Sequence, residues 1–284
     1  MSQGYAVNRT LPLRVEAVRQ FRRRRTLIAF ALLLLLPWVI AIAYEINSGG
    51  DGGGGRNNNA DAAGLSNAAT SGAMNFALFT LFVSVGFLLV VVVALFCGDT
   101  VASEANWSSL RYLLAAPVPR ARLLRQKLIV ALVYATVATL VLPLMALFTG
   151  TVFFGWHDVV LPNGGTYSMG TALTRMAIII GYALIANLVV AALAFLLSVI
   201  TDSPLGAVGG AVGLVIVSNI LDSVPALGDK REILPTHFQY AWLDALQSSI
   251  QWTGMIKGAA ISVSYAIVLL ALAFRLFHRK DIVS

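Results

Sequence analysis

Met176–Ile200 reads MAIIIGYALIANLVVAALAFLLSVI, without one charged side chain. About 20 such residues, wound as an α-helix, cross the hydrocarbon core of a bilayer. The run is continuous rather than alternating, which excludes the strand pattern of a membrane β-barrel. Comparable runs at Leu27–Ile46, Met74–Cys97, Leu128–Thr149, Leu205–Leu221 and Gly258–Phe277 bring the expected spans to six. The fourth and fifth are parted only by Thr201, Asp202, Ser203 and Pro204, a polar turn ending in a helix breaker. Pro37 and Pro143 lie inside spans, where membrane helices tolerate them with a local kink. Only 12% of the chain is charged and its mean hydropathy is +0.81, whereas an ordinary soluble domain is about one quarter charged. The expected fold class is an all-α polytopic membrane protein, one transmembrane domain over residues 1–284.

The net charge of +7 raises nucleic acid as a partner, but its distribution points to membrane topology instead. Fifteen of the 20 basic residues fall in the tail before span one, in the segment after span two, and at the C-terminal end. The positive-inside rule then places both termini in the cytoplasm of a multi-pass cell-membrane protein, with no nucleic acid partner expected. The Arg22–Arg25 run, the apolar stretch and Ala41-Ile42-Ala43 imitate a cleavable signal peptide. The long patterned tail before them argues for a retained first helix.

Within that tail, Leu11, Val15, Val18 and Phe21 recur at three- and four-residue spacing between arginines. Residues 11–25 are therefore expected to form an amphipathic helix on the membrane surface, its arginines reaching anionic headgroups. Asn47–Gly72, rich in Gly, Asn, Ala and Ser, reads as a flexible external loop. The last external segment, 222–257, spaces Phe238, Trp242, Leu246 and Ile250 four apart. That pattern suits a short re-entrant or surface helix at the interface, or a packed external loop.

Catalytic chemistry is nearly absent from the sequence. The histidines His157, His237 and His278 are scattered, and no His-Glu-x-x-His pair or paired carboxylates occupy a span. The lone cysteine, Cys97, excludes an intrachain disulfide and a cysteine metal cluster. No Gly-x-x-x-x-Gly-Lys-Ser/Thr loop is present, so no cofactor is expected in this chain and ATP hydrolysis is not its own. Span interiors nearly free of ionisable residues lower the case for an ion-coupled carrier without removing it. Gly206, Gly209, Gly210 and Gly213 set small residues four apart in span five, suited to a tight dimer, an intra-bundle contact or generic packing.

The segment 98–127 remains. In it Trp107, Leu110, Leu113 and Leu114 share a helical face, with Arg111 on another; Pro117 and Pro119 stop the helix, and Arg120–Lys127 restarts it into span three. Such an element, tied to two spans, can transmit a push. Glu104, the Leu-rich Leu110–Leu114, Pro117–Arg120 (PVPR), Lys127 and the terminal Phe277–Ile282 (FHRKDI) resemble the permease subunits of ABC-2 type ATP-binding-cassette transporters.

That resemblance covers the whole chain and implies an exporter-like fold with six transmembrane helices, an N-terminal interfacial helix and a cytoplasmic coupling helix at about Ala102–Ala115. It implies that Glu104, Trp107, Leu110, Arg111, Leu113, Leu114, Pro117 and Arg120 meet a partner. That partner would be cytoplasmic ABC ATPase subunits, in two copies, holding ATP and Mg. A second permease subunit, identical or homologous, would complete the assembly in the lipid membrane. The long Gly/Asn-rich external loop departs from the family pattern. A membrane anchor or assembly factor, and a secondary carrier, stay open as alternatives.

Overall fold

The computed structural model describes residues 13–48, 60–106, 120–161 and 165–279. A short helix α1 (Leu13–Phe21) precedes α2 (Arg24–Ser48). Then follow α3 (Ala60–Ala68), α4 (Ala73–Val85), α5 (Leu88–Asn106) and α6 (Arg120–Phe153). A two-residue antiparallel ladder, β1 (Val159–Val160) with β2 (Thr166–Tyr167), leads to α7 (Met169–Ile200). α8 (Pro204–Asp222) and α9 (Trp252–Arg279) complete the bundle. Among the described residues α2, α6, α7, α8 and α9 are each long and apolar enough to cross a membrane, and α4 with α5 makes a sixth span if the bent pair counts as one.

Several helices outrun the apolar stretches that mark them. α6 starts at Arg120 and α9 at Trp252, because polar and basic residues extend a helix past hydrocarbon at no packing cost. α8 begins where the chain chemistry dictates. Ser203 Oγ accepts from Gly206 N at 3.2 Å, and Pro204 takes the first turn, where its missing N–H is not needed.

The second apolar run is not one straight helix. It bends by 58° at Gly86–Phe87. Gln239 Nε2 donates to the Val85 carbonyl at 2.7 Å, and the Tyr240 hydroxyl lies 2.4 Å from where a Cβ on Gly86 would sit. A side chain inserted into the helical ladder is a recognised cause of such a kink.

α7 is the central element, packed along α9 and α5 and against α8, while α6 holds α2 and α4. The buried side chains form two clusters. One, with Leu33, Phe76, Leu142, Ile179 and Trp242, fills the half of the bundle near the β-ladder. The other, with Val93, Leu124, Phe195, Ala211 and Phe277, fills the opposite half, here termed the basic end. Outward, α2 exposes Leu27, Ile28, Leu32, Leu35, Val39 and Ile42, a face suited to lipid.

Residues 225–251 fold as 3-10 turns over the end opposite the basic one. The four-residue aromatic spacing thus does not make a surface helix: Trp242 and Leu246 are buried in the bundle, and the only helical turn near them is Ala241–Leu246. Arg175 explains why. Its guanidinium donates to the carbonyls of Ala245 (2.7 Å), Gln247 (2.5 Å) and Ser248 (3.2 Å) and stacks 4.0 Å over the Tyr167 ring. Tyr182 donates to the Phe238 carbonyl at 2.5 Å. These side chains take carbonyls that a continuous helix would have used.

Candidate functional site: a buried ion cluster at the basic end

α1 runs beside the starts of α2 and α6. Its Leu13, Val15, Val18 and Phe21 point outward and exposed, while Gln20 is buried. An interfacial helix presents this division, apolar side to lipid and polar side to the protein. The arginines behave differently from the headgroup anchors expected of them. Arg19, Arg23 and Arg25 turn toward carboxylates of α5 instead.

Two linked knots result. In the first, Lys127 of α6 meets Glu104 of α5 at 2.5 Å and Glu16 of α1 at 3.0 Å. Arg19 also pairs with Glu104, and with Glu16 at 3.3 Å. In the second, Asp99 receives Arg23 at 2.5 Å and Arg25 at 2.7 Å, one on each carboxylate oxygen, and Arg23 also donates to Ser103 Oγ at 2.9 Å. Among the described residues three carboxylates therefore face four cations. Glu104 and Lys127 are each only 3% exposed, where an unpaired charge would cost several kcal/mol (roughly 3–5).

Burial pushes the Glu16 carboxyl up, but the adjacent Lys127 ammonium and Arg19 guanidinium outweigh it and hold the group below the usual glutamate range. Further bonds fix the same elements. Gln20 Nε2 donates to the Phe96 carbonyl at 3.3 Å, and the Tyr134 hydroxyl to the Ala17 carbonyl at 2.9 Å. Ser198 Oγ of α7 accepts from the backbone N–H of Val101 and Ala102 at 3.0 and 2.9 Å. A cleft of about 570 Å³ opens beside the cluster, lined by Arg19, Arg23, Arg24, Arg25, Asp99, Ser103, Glu104 and Pro204.

Of the residues expected to meet a partner, Glu104 lies in this cluster at the end of α5, and Arg120 is the first residue of α6. Trp107, Leu110, Arg111, Leu113, Leu114 and Pro117 lie outside the described residues; of the coupling helix expected at about Ala102–Ala115, only Ala102–Asn106 are described, as the last residues of α5. The cluster brackets their connection: Glu104 stands just before it and Lys127 just after. Glu16, Arg19, Arg23, Arg25 and Asp99 were not among the expected site residues. The signal available was an acid at each of two positions after span two, opposite an arginine run in the tail.

The span-five glycines divide. A Cβ on Gly210 would meet Leu197 at 3.2 Å and one on Gly206 would touch Ser203 at 3.4 Å, whereas Gly209 and Gly213 face open space. Other glycines also sit at close helix approaches. A Cβ on Gly98 would lie 3.0 Å from the Val208 side chain, and one on Gly150 would lie 2.8 Å from the Ala73 backbone.

The arrangement has no catalytic geometry. It ties α1, α2, α5 and α6 of a polytopic all-α membrane protein together beside one connection. The sequence model of the family described as ABC-2 family transporter protein matches residues 14–282, and the chain belongs to that family. It is also similar to the uncharacterized protein YhcI of Bacillus subtilis (strain 168), 26% identical over 195 residues. That match takes in 64% of this chain and spans 61% of the relative's length.

Proposed function

We propose that this chain is the transmembrane permease subunit of an ABC exporter. Two copies of a separate cytoplasmic ATPase, with ATP and Mg, supply the energy. A second permease subunit, identical or homologous, completes the pair. Both termini and the basic end face the cytoplasm, following the lysine and arginine bias. Membership of the ABC-2 family supports the permease role.

The observation that carries the coupling is the Glu104–Lys127 ion pair. It joins the two helices that flank the 107–119 connection, and Glu16 and Arg19 extend the tie to α1. A push delivered by the ATPase to that connection reaches α5, α6 and α1 together. Asp99 passes it on to the start of α2 through Arg23 and Arg25.

Affinity purification of the tagged chain from its native membrane tests the reading. The expected result is a co-purifying chain with a phosphate-binding loop and ATPase activity that the isolated permease lacks. A native complex free of any ATPase would favour the anchor or assembly-factor role. Ion-gradient-driven flux without ATP would favour a carrier.

A further inference from the structure

The cleft of about 570 Å³ at the basic end has a charge imbalance. Four of its lining residues are cations (Arg19, Arg23, Arg24 and Arg25), two are anions (Asp99 and Glu104), and Ser103 and Pro204 are neutral. Two positive charges are therefore left over, and the neighbouring Lys127–Glu16 pair adds none. The anions are also the less accessible partners. The Asp99 and Glu104 side chains are 9% and 3% exposed, against 58% for Arg25 and 42% for Arg19. A solute entering the cleft thus meets arginine before carboxylate.

Most polar groups of the cleft are committed to one another. Asp99 pairs with Arg23 and Arg25, Glu104 with Arg19 and Lys127, and the Ser103 hydroxyl donates to the Asp99 carbonyl at 2.5 Å. Arg24 is different. It is exposed, and its side chain has no ion pair or hydrogen bond among the described residues. Apolar surface adjoins the same cleft on three elements. Phe21 ends α1, Leu27 and Ile28 come within about a turn of Arg24 on α2, and Leu205 follows Pro204 on α8. All four are exposed, Leu205 by 81%.

Charge and apolar rim together narrow the ligand. A soluble anion leaves the rim exposed, and an uncharged lipid leaves the surplus arginine charge unanswered. Arginine forks match phosphate oxygens in pairs, and apolar side chains beside them suit acyl chains. The volume lies within the ~300–1,000 Å³ usual for small-molecule sites, so the cleft suits a headgroup better than a lone ion. We propose that this cleft binds the headgroup of an anionic phospholipid. Its phosphate lies on the arginines, with Arg24 as a cation not already paired, and its acyl chains lie along Leu27, Ile28 and Leu205. The inference stands apart from the ATPase-coupled reading, because it concerns lipid binding by the isolated chain.

Native mass spectrometry of the purified, delipidated full-length chain in a nonionic detergent, titrated with single ligands, tests the assignment. Dioleoyl phosphatidylglycerol should fill one high-affinity site per chain. Two comparison ligands should each bind at least about tenfold more weakly. One is dioleoyl phosphatidylcholine, whose ammonium cancels the phosphate charge; the other is glycerophosphoglycerol, the same headgroup without chains. Arg24→Gln should weaken phosphatidylglycerol about fivefold, the weight of one basic residue beside an anionic headgroup, without lowering the melting temperature. Arg279→Gln removes an equal charge at the same end, on α9, and should leave the affinity unchanged. Equal affinity for the two lipids would overturn the assignment without recourse to any variant. A free headgroup as tight as its lipid would also overturn it, in favour of a soluble phosphate ligand. So would no loss in Arg24→Gln, or the same loss in Arg279→Gln, which is diffuse attraction of a basic protein for anions.

Discussion

Glu104 and Lys127 stand at opposite ends of one inter-helix connection, each 3% exposed, with their charged atoms 2.5 Å apart. Buried charges need partners, so the pair ties α5 to α6 across the connection. Glu16 and Arg19 also pair with these two side chains and bring α1 into the same knot.

Removing one partner should therefore be far worse than removing both. Glu104→Met or Lys127→Met alone is expected to lose up to about 3–5 kcal/mol, because the charge left buried keeps only its other described partner, Glu16 for Lys127 or Arg19 for Glu104. Glu104→Met with Lys127→Met should recover most of that loss, since apolar side chains of similar volume pack in their place. Thermal unfolding in detergent, run as a double-mutant cycle, measures the difference. Additive losses would mean the two charges do not depend on each other.

The spans were legible because apolar length is a one-dimensional property that survives any tertiary arrangement. The ion cluster was only half legible. Glu104 and Lys127 could be picked out through the family resemblance, but Asp99 meets Arg23 and Arg25, 74 to 76 residues away, only because the start of α2 lies beside α5 in the fold. Gly98 and Gly150 have no second glycine four residues away, yet their partners Val208 and Ala73 approach from distant helices. The stripe of Phe238, Trp242, Leu246 and Ile250 left a helix and a packed loop both open for a related reason. Periodicity reports which residues could share a helical face, while Arg175 and Tyr182 bond the carbonyls that decide the backbone.

Acid should loosen the knot through Glu16. Its carboxyl titrates below the ordinary value of about 4.3 because Lys127 and Arg19 favour the charged form over the cost of burial. A lowered folded-state pKa contributes stability above the unfolded value and loses it as pH falls through the folded one. The melting temperature of the wild type should thus exceed that of Glu16→Gln at pH 7. The gap should close only below about pH 4.3. A gap that closes as pH rises instead would contradict the assignment.

Glycine substitutions should sort by space rather than by motif. Gly150→Ala places a Cβ 2.8 Å from the Ala73 backbone, which cannot rotate away, and is expected to cost about 1–3 kcal/mol. Gly209→Ala meets nothing within 4 Å and should leave the isolated subunit as stable as before. Parallel melting curves for the two variants decide it.

At the opposite end, Arg175 should not be replaceable by lysine. Its flat fork serves three carbonyls of the 225–251 turns and stacks on Tyr167, which a compact ammonium cannot reproduce. Arg175→Lys is expected to lose about 1.5–3 kcal/mol, the worth of a charge-assisted bond. The released turns should be nicked faster by trypsin at Lys230 and Arg231. Unchanged cleavage would show that the cap is held by its apolar contacts alone.

The decisive prediction separates stability from coupling. The Glu104→Met, Lys127→Met double variant keeps the core filled but deletes the charges that bind α1 to the helices on either side of the connection. Arg19 retains Glu16, so neither of these two charges is left alone. If the knot relays movement from the ATPase, the variant assembled with that ATPase should bind it normally and hydrolyse ATP, while transport falls about tenfold or more, the loss of roughly 1.4 kcal/mol of coupling. If the knot serves only to hold the fold, transport and hydrolysis should fall together or not at all. Reconstitution of wild type and double variant in vesicles, with both rates measured on the same preparation, distinguishes the two outcomes. A fully active, tightly coupled double variant would remove the ion cluster from the mechanism and leave the 107–119 connection to act through backbone alone.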